Sequence, residues 1–127
     1  MAYRFHHIHL ICKDLEPMIS FFSEVLVAKL GARQMFGTAD GASLDLRGTT
    51  INLRVKREDE EMIGDASQAR FGYDHIGLEV EDLEAAYKDL TDRGYTFSIP
   101  PKDATNLRIA FFKGPEYITV ELVQPLG

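Results

Sequence analysis

The 127-residue chain sets 14 Lys and Arg against 20 Asp and Glu, a net charge of −6. That balance argues against nucleic acid or an anionic membrane as a partner, since both call for a basic face. The length suits one compact domain with its own core. There is no apolar run near the ~20 residues of a membrane span and no basic-then-apolar leader, so a soluble cytoplasmic protein acting on a small molecule is expected.

The first element is RFHHIHLICKDLEP (residues 4–17), which holds three of the four histidines of the chain. Alternation makes it a strand with His7, His9 and Ile11 on one face and Ile8, Leu10 and Cys12 on the other. Cys12, the single cysteine, has no internal disulfide partner and reads as a buried small hydrophobe. Asp14 is placed to cap a helix in which Met18, Phe21, Phe22, Val25 and Leu26 recur at helical spacing, with Gly31 as its expected C-terminal glycine. A poorly defined strand is expected near 33–37. GASLDLRGTTINLRV (residues 41–55) then reads as a hairpin about Arg47-Gly48. KREDEEMIGDASQAR (residues 56–70) is charged and aperiodic, as a solvated linker would be.

From here the chain repeats itself. HHIHLICKDLE (residues 6–16) lies over DHIGLEVEDLE (residues 74–84) without a gap, matching His7 to His75, Ile8 to Ile76, Leu10 to Leu78 and Asp14 to Asp82. A second helix follows on Leu83, Ala86, Tyr87 and Leu90, ending at Gly94. Another weak strand is expected near 95–99, and LRIAFFKGPEYITVELVQ (residues 107–124) reads as a hairpin about Gly114-Pro115. The fold class expected is α+β, built from two βαβββ modules (about 4–55 and 71–125, joined by a linker 56–70) in one domain.

The repeat also singles out the candidate site. Setting TTINLR (residues 49–54) over ITVELV (residues 118–123) aligns Asn52 with Glu121. His7, Asn52, His75 and Glu121 therefore fall at equivalent points, facing away from the helices. Two imidazoles, one carboxylate and an amide oxygen suit a divalent cation with open positions. The hairpin register puts Ser43 opposite Asn52 and Asp45 opposite Thr50, so Ser43 and Asp45 share that face. Asp45 is a candidate second acid or base beside Glu121. Arg54 follows on the same alternation and could anchor a substrate carboxylate; His9, Ser43 and Arg54 form the expected substrate-binding set. Structural explanations stand beside these: a lone strand histidine is more often a hydrogen-bonded or surface residue, Asp45 could be a strand-edge carboxylate in water, and Arg54 could lie beyond the rim.

The second-half segment FGYDHIGLEVEDLEAAYKDLTDRGY leading through AFFKGPEYITVELVQP, and HIHLICKDLEPMISFFSEVL in the first half, resemble the vicinal oxygen chelate superfamily. Its members include glyoxalase I, methylmalonyl-CoA epimerase, ring-cleaving dioxygenases and drug-resistance proteins. The resemblance implies a glyoxalase-like fold, in which two βαβββ modules make an open curved-sheet cup around a metal. By position it assigns the ligands to His7, Asn52, His75 and Glu121 and leaves Zn, Ni, Co, Mn or Fe open. The chain departs at Asn52, where related lyases and epimerases carry Glu or Gln, and at KGPEY (residues 113–117), where many members have a turn resembling Asp-Pro-Asp-Gly. The function implied is a lyase or isomerase moving a proton through an enediolate-like intermediate, with Glu121 as base. An iron(II) dioxygenase using His7, His75 and Glu121 is an alternative reading, and a metal-free drug-binding protein is another. A homodimer is expected, both from the resemblance and because half-open sheets leave edges to be covered.

Overall fold

A computed structural model describes residues 1–126. The backbone divides into two compact units, Met1–Ile63 and Gly64–Gly127. In the first, β1 (His7–Cys12) leads to α1 (Leu15–Ser20), whose path continues as a π-helical turn over Phe21–Val25; β2 (Lys29–Phe36), β3 (Ala39–Leu46) and β4 (Thr49–Val55) complete it. The second runs β5 (Ile76–Glu79), α2 (Leu83–Asp92), β6 (Phe97–Ala104), β7 (Leu107–Lys113), a single 3-10 turn (Pro115–Tyr117) and β8 (Thr119–Pro125).

Both units carry the same four-stranded open sheet, ordered β1-β4-β3-β2 and β5-β8-β7-β6. In each, the opening strand pairs in parallel with the closing strand and every other pairing is antiparallel. A parallel pair cannot be joined by a tight turn. The intervening chain must cross over, and in both units it does so through the helix and a meander of two further strands.

The helix covers one face of its sheet. In the first unit Cys12, Ala42, Leu44, Ile51 and Leu53 are buried on that face with Met18, Ile19, Phe21 and Phe22 of the helical segment. In the second, Leu83 and Leu90 of α2 are buried with Ala110, Phe112, Val120 and Leu122. These aliphatic and aromatic side chains alternate along the strands with residues turned to the open face, which is what a half-buried sheet requires. Among the described residues no helix is long and apolar enough to cross a membrane.

Two expectations are corrected. The weak strands are longer than the sequence suggests, 29–36 and 97–104, and both are sheet edges. β2 is exposed along nearly its whole length, so no buried face imprints an alternation. β6 contains Pro100 and Pro101, which an edge strand tolerates because it need not donate on both sides; its register to β7 slips across that stretch, between Ile99 and Lys102. The second correction concerns Gly31, which lies inside β2 and does not close the helix. Val27 does so, at φ 60°, after Leu26 N–H bonds Phe21 O and Ala28 N–H bonds Phe22 O. The π-helical widening displaces the cap from the spacing of an ordinary helix. α2 ends as expected, with Gly94 at φ 100° and the Gly94 and Tyr95 amides bonding Thr91 and Leu90.

A β-branched residue in the left-handed region is strained by about 1–2 kcal/mol, and Val27 is 75% exposed, so it contributes no core packing to offset that. Val27→Gly is expected to raise stability by about 1 kcal/mol in denaturant unfolding; a loss would show that the side chain matters beyond its backbone. Gly41 is the opposite case. A Cβ there would stand 2.5 Å from the Phe36 ring and closer still to the Leu53 carbonyl oxygen. Gly41→Ala is therefore expected to cost about 1–3 kcal/mol by the same measurement.

Candidate functional site

The strand registers arrange the open face of the first unit as three rungs. His7, Thr50 and Asp45 form one, His9, Asn52 and Ser43 the next, and Ile11, Arg54 and Gly41 the third. The expected pairing of Ser43 with Asn52 and Asp45 with Thr50 is the observed one. In the second unit Gly77, Glu121 and Phe111 occupy the rung equivalent to that of Asn52. His75 stands one residue before β5. Asn52 and Glu121 are thus structurally equivalent as well as aligned in sequence.

The two histidines are presented alike. His75 Nδ1 lies 2.8 Å from Asp74 Oδ2, and its Nε2 lies 3.1 Å from Glu121 Oε1. His7 Nδ1 lies 2.9 Å from His6 Nδ1. In each case the residue just before the histidine engages Nδ1, a carboxylate for His75 and an imidazole for His7. A carboxylate on the far nitrogen is the usual means of fixing a ligand imidazole's orientation and raising its basicity. The Asp74 hydrogen bond, helped by Glu121 and opposed by burial, lifts the His75 pKa above its ordinary value. The Phe111 ring packs edge-on to His75 at 5.2 Å.

On the first unit's face the remaining polar groups are already connected. Gln34 Nε2 donates to Ser43 Oγ at 2.8 Å, and Ser43 Oγ donates to Asn52 Oδ1. The Asn52 oxygen keeps a second lone pair for another partner. Asp45 shares the face, but it is exposed and its Oδ1 accepts the Gly48 N–H at 2.9 Å, so its carboxylate serves the β3–β4 turn. His9 packs on Phe36 with ring centroids 4.5 Å apart. Burial first, then the charge of Arg54, lowers its pKa and favours the neutral ring. Arg54 is buried and forks onto Glu60, Nη1 to Oε1 at 2.7 Å and Nη2 to Oε2 at 2.9 Å.

Sequence reasoning missed Asp74, Phe36 and Glu60. Asp74 had a signal, since it aligns with His6 immediately before the repeated histidine. Glu60 had none, being one acid among several in the 56–61 run.

Whether the residues suit a metal is a question of donor chemistry. Among the described residues no three His, Cys, Asp or Glu side chains gather closely enough to hold one. Each unit supplies half of the expected set: His75 with Glu121, and His7 with the Asn52 amide. Their donor types match a divalent cation of the zinc to iron range, and the convergence of His75 Nε2 and Glu121 Oε1 fits one shared partner.

No curated protein matches the sequence. Solved structures do. A glyoxalase family protein from Bacillus cereus superposes with a TM-score of 0.85 at 20% identity, covering 100% of this chain and 97% of that one. A variant of the fosfomycin resistance protein FosX from Listeria monocytogenes, complexed with Mn(II) and 1S,2S-dihydroxypropylphosphonic acid, gives 0.75 at 18% identity, with 98% and 94% covered. The antibiotic-binding protein TnmS3 from a Streptomyces species gives 0.75 at 20%, with 98% and 97% covered. At these identities the likeness shows the fold. A family model matches residues 4–122, nearly the whole sequence, and by that match the chain belongs to the glyoxalase/bleomycin resistance protein/dioxygenase superfamily.

Proposed function

We propose that the protein is a divalent-metal-dependent lyase or isomerase that moves a proton on a small substrate bound through two adjacent oxygens. The observation that carries this reading is the His75–Glu121 contact at 3.1 Å with Asp74 behind the ring, matched by the equivalent placement of His7 and Asn52. His7, His75, Glu121 and the Asn52 oxygen would hold the cation. When bound, it would stabilise negative charge developing on the substrate oxygens.

The rest of the chemistry belongs to side chains. Glu121 is the carboxylate among the four positions and takes the substrate proton; its side chain is 18% exposed, so it meets the substrate largely out of water. Asn52 cannot ionise and acts as a neutral ligand, its oxygen accepting from Ser43 Oγ, which Gln34 holds in turn. His9, held neutral against Phe36, and Ser43 present polar contacts on the substrate side. Asp45 is a second acid or base only if it leaves the turn amide of Gly48. A homodimer remains part of this reading, supported by the open sheet edges.

A second reading is a ligand-binding protein that performs no chemistry, favoured by the likeness to TnmS3 and by the division of the donors between the two units. An iron(II) dioxygenase would use the same His7, His75 and Glu121. Metal analysis of protein purified without chelator, followed by screening for solvent-deuterium exchange into candidate 2-oxo-aldehyde adducts and 2-methyl thioesters and for oxygen uptake with catechols, separates the three.

His7→Ala or His75→Ala is expected to lower metal affinity by at least about 100-fold, and Asp74→Ala by about 10- to 100-fold, read by competition with a chromogenic chelator. His6→Ala should have a smaller effect than His7→Ala; equal losses would overturn the register. Glu121→Gln retains size and an oxygen donor. Metal content should largely survive while proton exchange falls about 10²- to 10⁴-fold. Exchange at the wild-type rate in the metal-loaded variant would assign the base elsewhere.

A further inference from the structure

The Arg54–Glu60 pair sits on the open face of the first unit, opposite the helix-covered side. β4 turns Arg54 to that face, where its side chain is only 10% exposed. Its partner comes from residues 56–60, which no helix or strand contains. Three donors converge on the Glu60 carboxylate, with a second guanidinium close by. Arg54 contributes Nη1 and Nη2; the Arg57 amide donates to Oε1 at 2.6 Å; and Arg57 Nη1 lies 3.8 Å from Oε2. That is a planar, bidentate carboxylate receptor with an additional backbone donor.

The two guanidinium groups have anchors besides the carboxylate, whereas the Arg57 amide shares a turn with Glu60, whose N–H bonds Arg57 O at 3.2 Å. Arg54 is fixed by its strand, and Nη1 also donates to Val55 O at 3.1 Å. Arg57 Nη2 donates to Phe36 O at 3.0 Å, tying the guanidinium to β2. Beside the receptor lies an apolar surface. Gly41, paired with Arg54, has no side chain, and the Phe36 ring fills the space above it and reaches His9.

We propose that this receptor takes the carboxylate of a small ligand with a flat apolar body, and that Glu60 occupies it until the ligand displaces it. The inference rests on the open face being the binding face, as in the function proposed above. The two chemistries complement each other: a guanidinium fork for the carboxylate, and the Phe36 and His9 rings for the body. An internal carboxylate in the receptor keeps Arg54 paired when no ligand is present, because an unpaired buried guanidinium would be costly. It also sets a threshold, since any ligand must outcompete a tethered group.

The test uses the metal-free 127-residue chain and benzoate as the probe. Benzoate affinity is measured by calorimetry, and the Arg57 amide is followed by NMR. Glu60→Gln is expected to bind benzoate at least about tenfold more tightly than wild type, and adding Arg54→Met to it should abolish binding. Neutral benzyl alcohol should not bind. In the wild type, saturating benzoate should shift the Arg57 amide as Glu60 leaves. Equal affinity of wild type and Glu60→Gln, binding that survives Arg54→Met, or an unmoved Arg57 amide under saturating benzoate would each overturn the proposal and leave the pair as a structural brace. If Glu60→Gln does not fold, the wild-type amide titration decides alone, and no shift up to the solubility limit of benzoate overturns it. Metal content is assayed separately, so loss of the metal reading leaves this result standing.

Discussion

Everything on the open faces depends on the closing strand of each unit being hydrogen-bonded on both sides. β4 lies between β1 and β3, and β8 between β5 and β7, so Asn52, Arg54 and Glu121 project from the least movable backbone in their sheets. Their alternation partners, Ile51 and Leu53 in one unit and Val120 and Leu122 in the other, are buried under the helices. A shift of one residue would drive Asn52, Arg54 or Glu121 into the apolar layer and expose the core. The packing that stabilises each unit therefore also fixes the direction of its polar groups, with no separate device needed.

This coupling explains what could be read from the sequence. The repeat, the facing of His7 and His75, the pairing of Ser43 with Asn52 and the equivalence of Asn52 with Glu121 all follow from period-two alternation beside a buried face. Where no buried face exists, the sequence carries less. β2 is exposed along its length and β6 is interrupted by prolines, so both were under-read. The misplaced helix end has another cause: a π-helical turn changes the residue count between the last buried phenylalanine and the cap, and nothing in Ser23-Glu24-Val25 announces it. Asp45 was located on the correct face, but its engagement by the Gly48 amide depends on turn geometry. Glu60 became distinguishable from its acidic neighbours only once the fold brought it to Arg54.

The repeat has diverged most where charge is concerned. The second unit's half-set carries two carboxylates, Asp74 and Glu121, around one imidazole. The first carries none in those places: His6 stands where Asp74 does, and Asn52 where Glu121 does, with a guanidinium one rung away. The charge around the two equivalent positions is thus unequal, acidic in the second unit and neutral in the first, where Arg54 is itself paired with Glu60.

The prolines of β6 have a consequence beyond register. An open sheet offers its outer strands to any other extended chain, and the amides of alternate residues, those turned away from the sheet, are what such a chain would bind. Adjacent strand residues turn their amides to opposite edges, so of Pro100 and Pro101 one removes a donor from the outer edge and the other from the side of β7, and an incoming segment would meet an interrupted ladder there. β2 carries no proline between Lys29 and Phe36; of its two cations, Lys29 and Arg33, the second is forked onto Glu16 of α1. Of these two edge strands, β2 is therefore the one whose row of main-chain groups no proline interrupts.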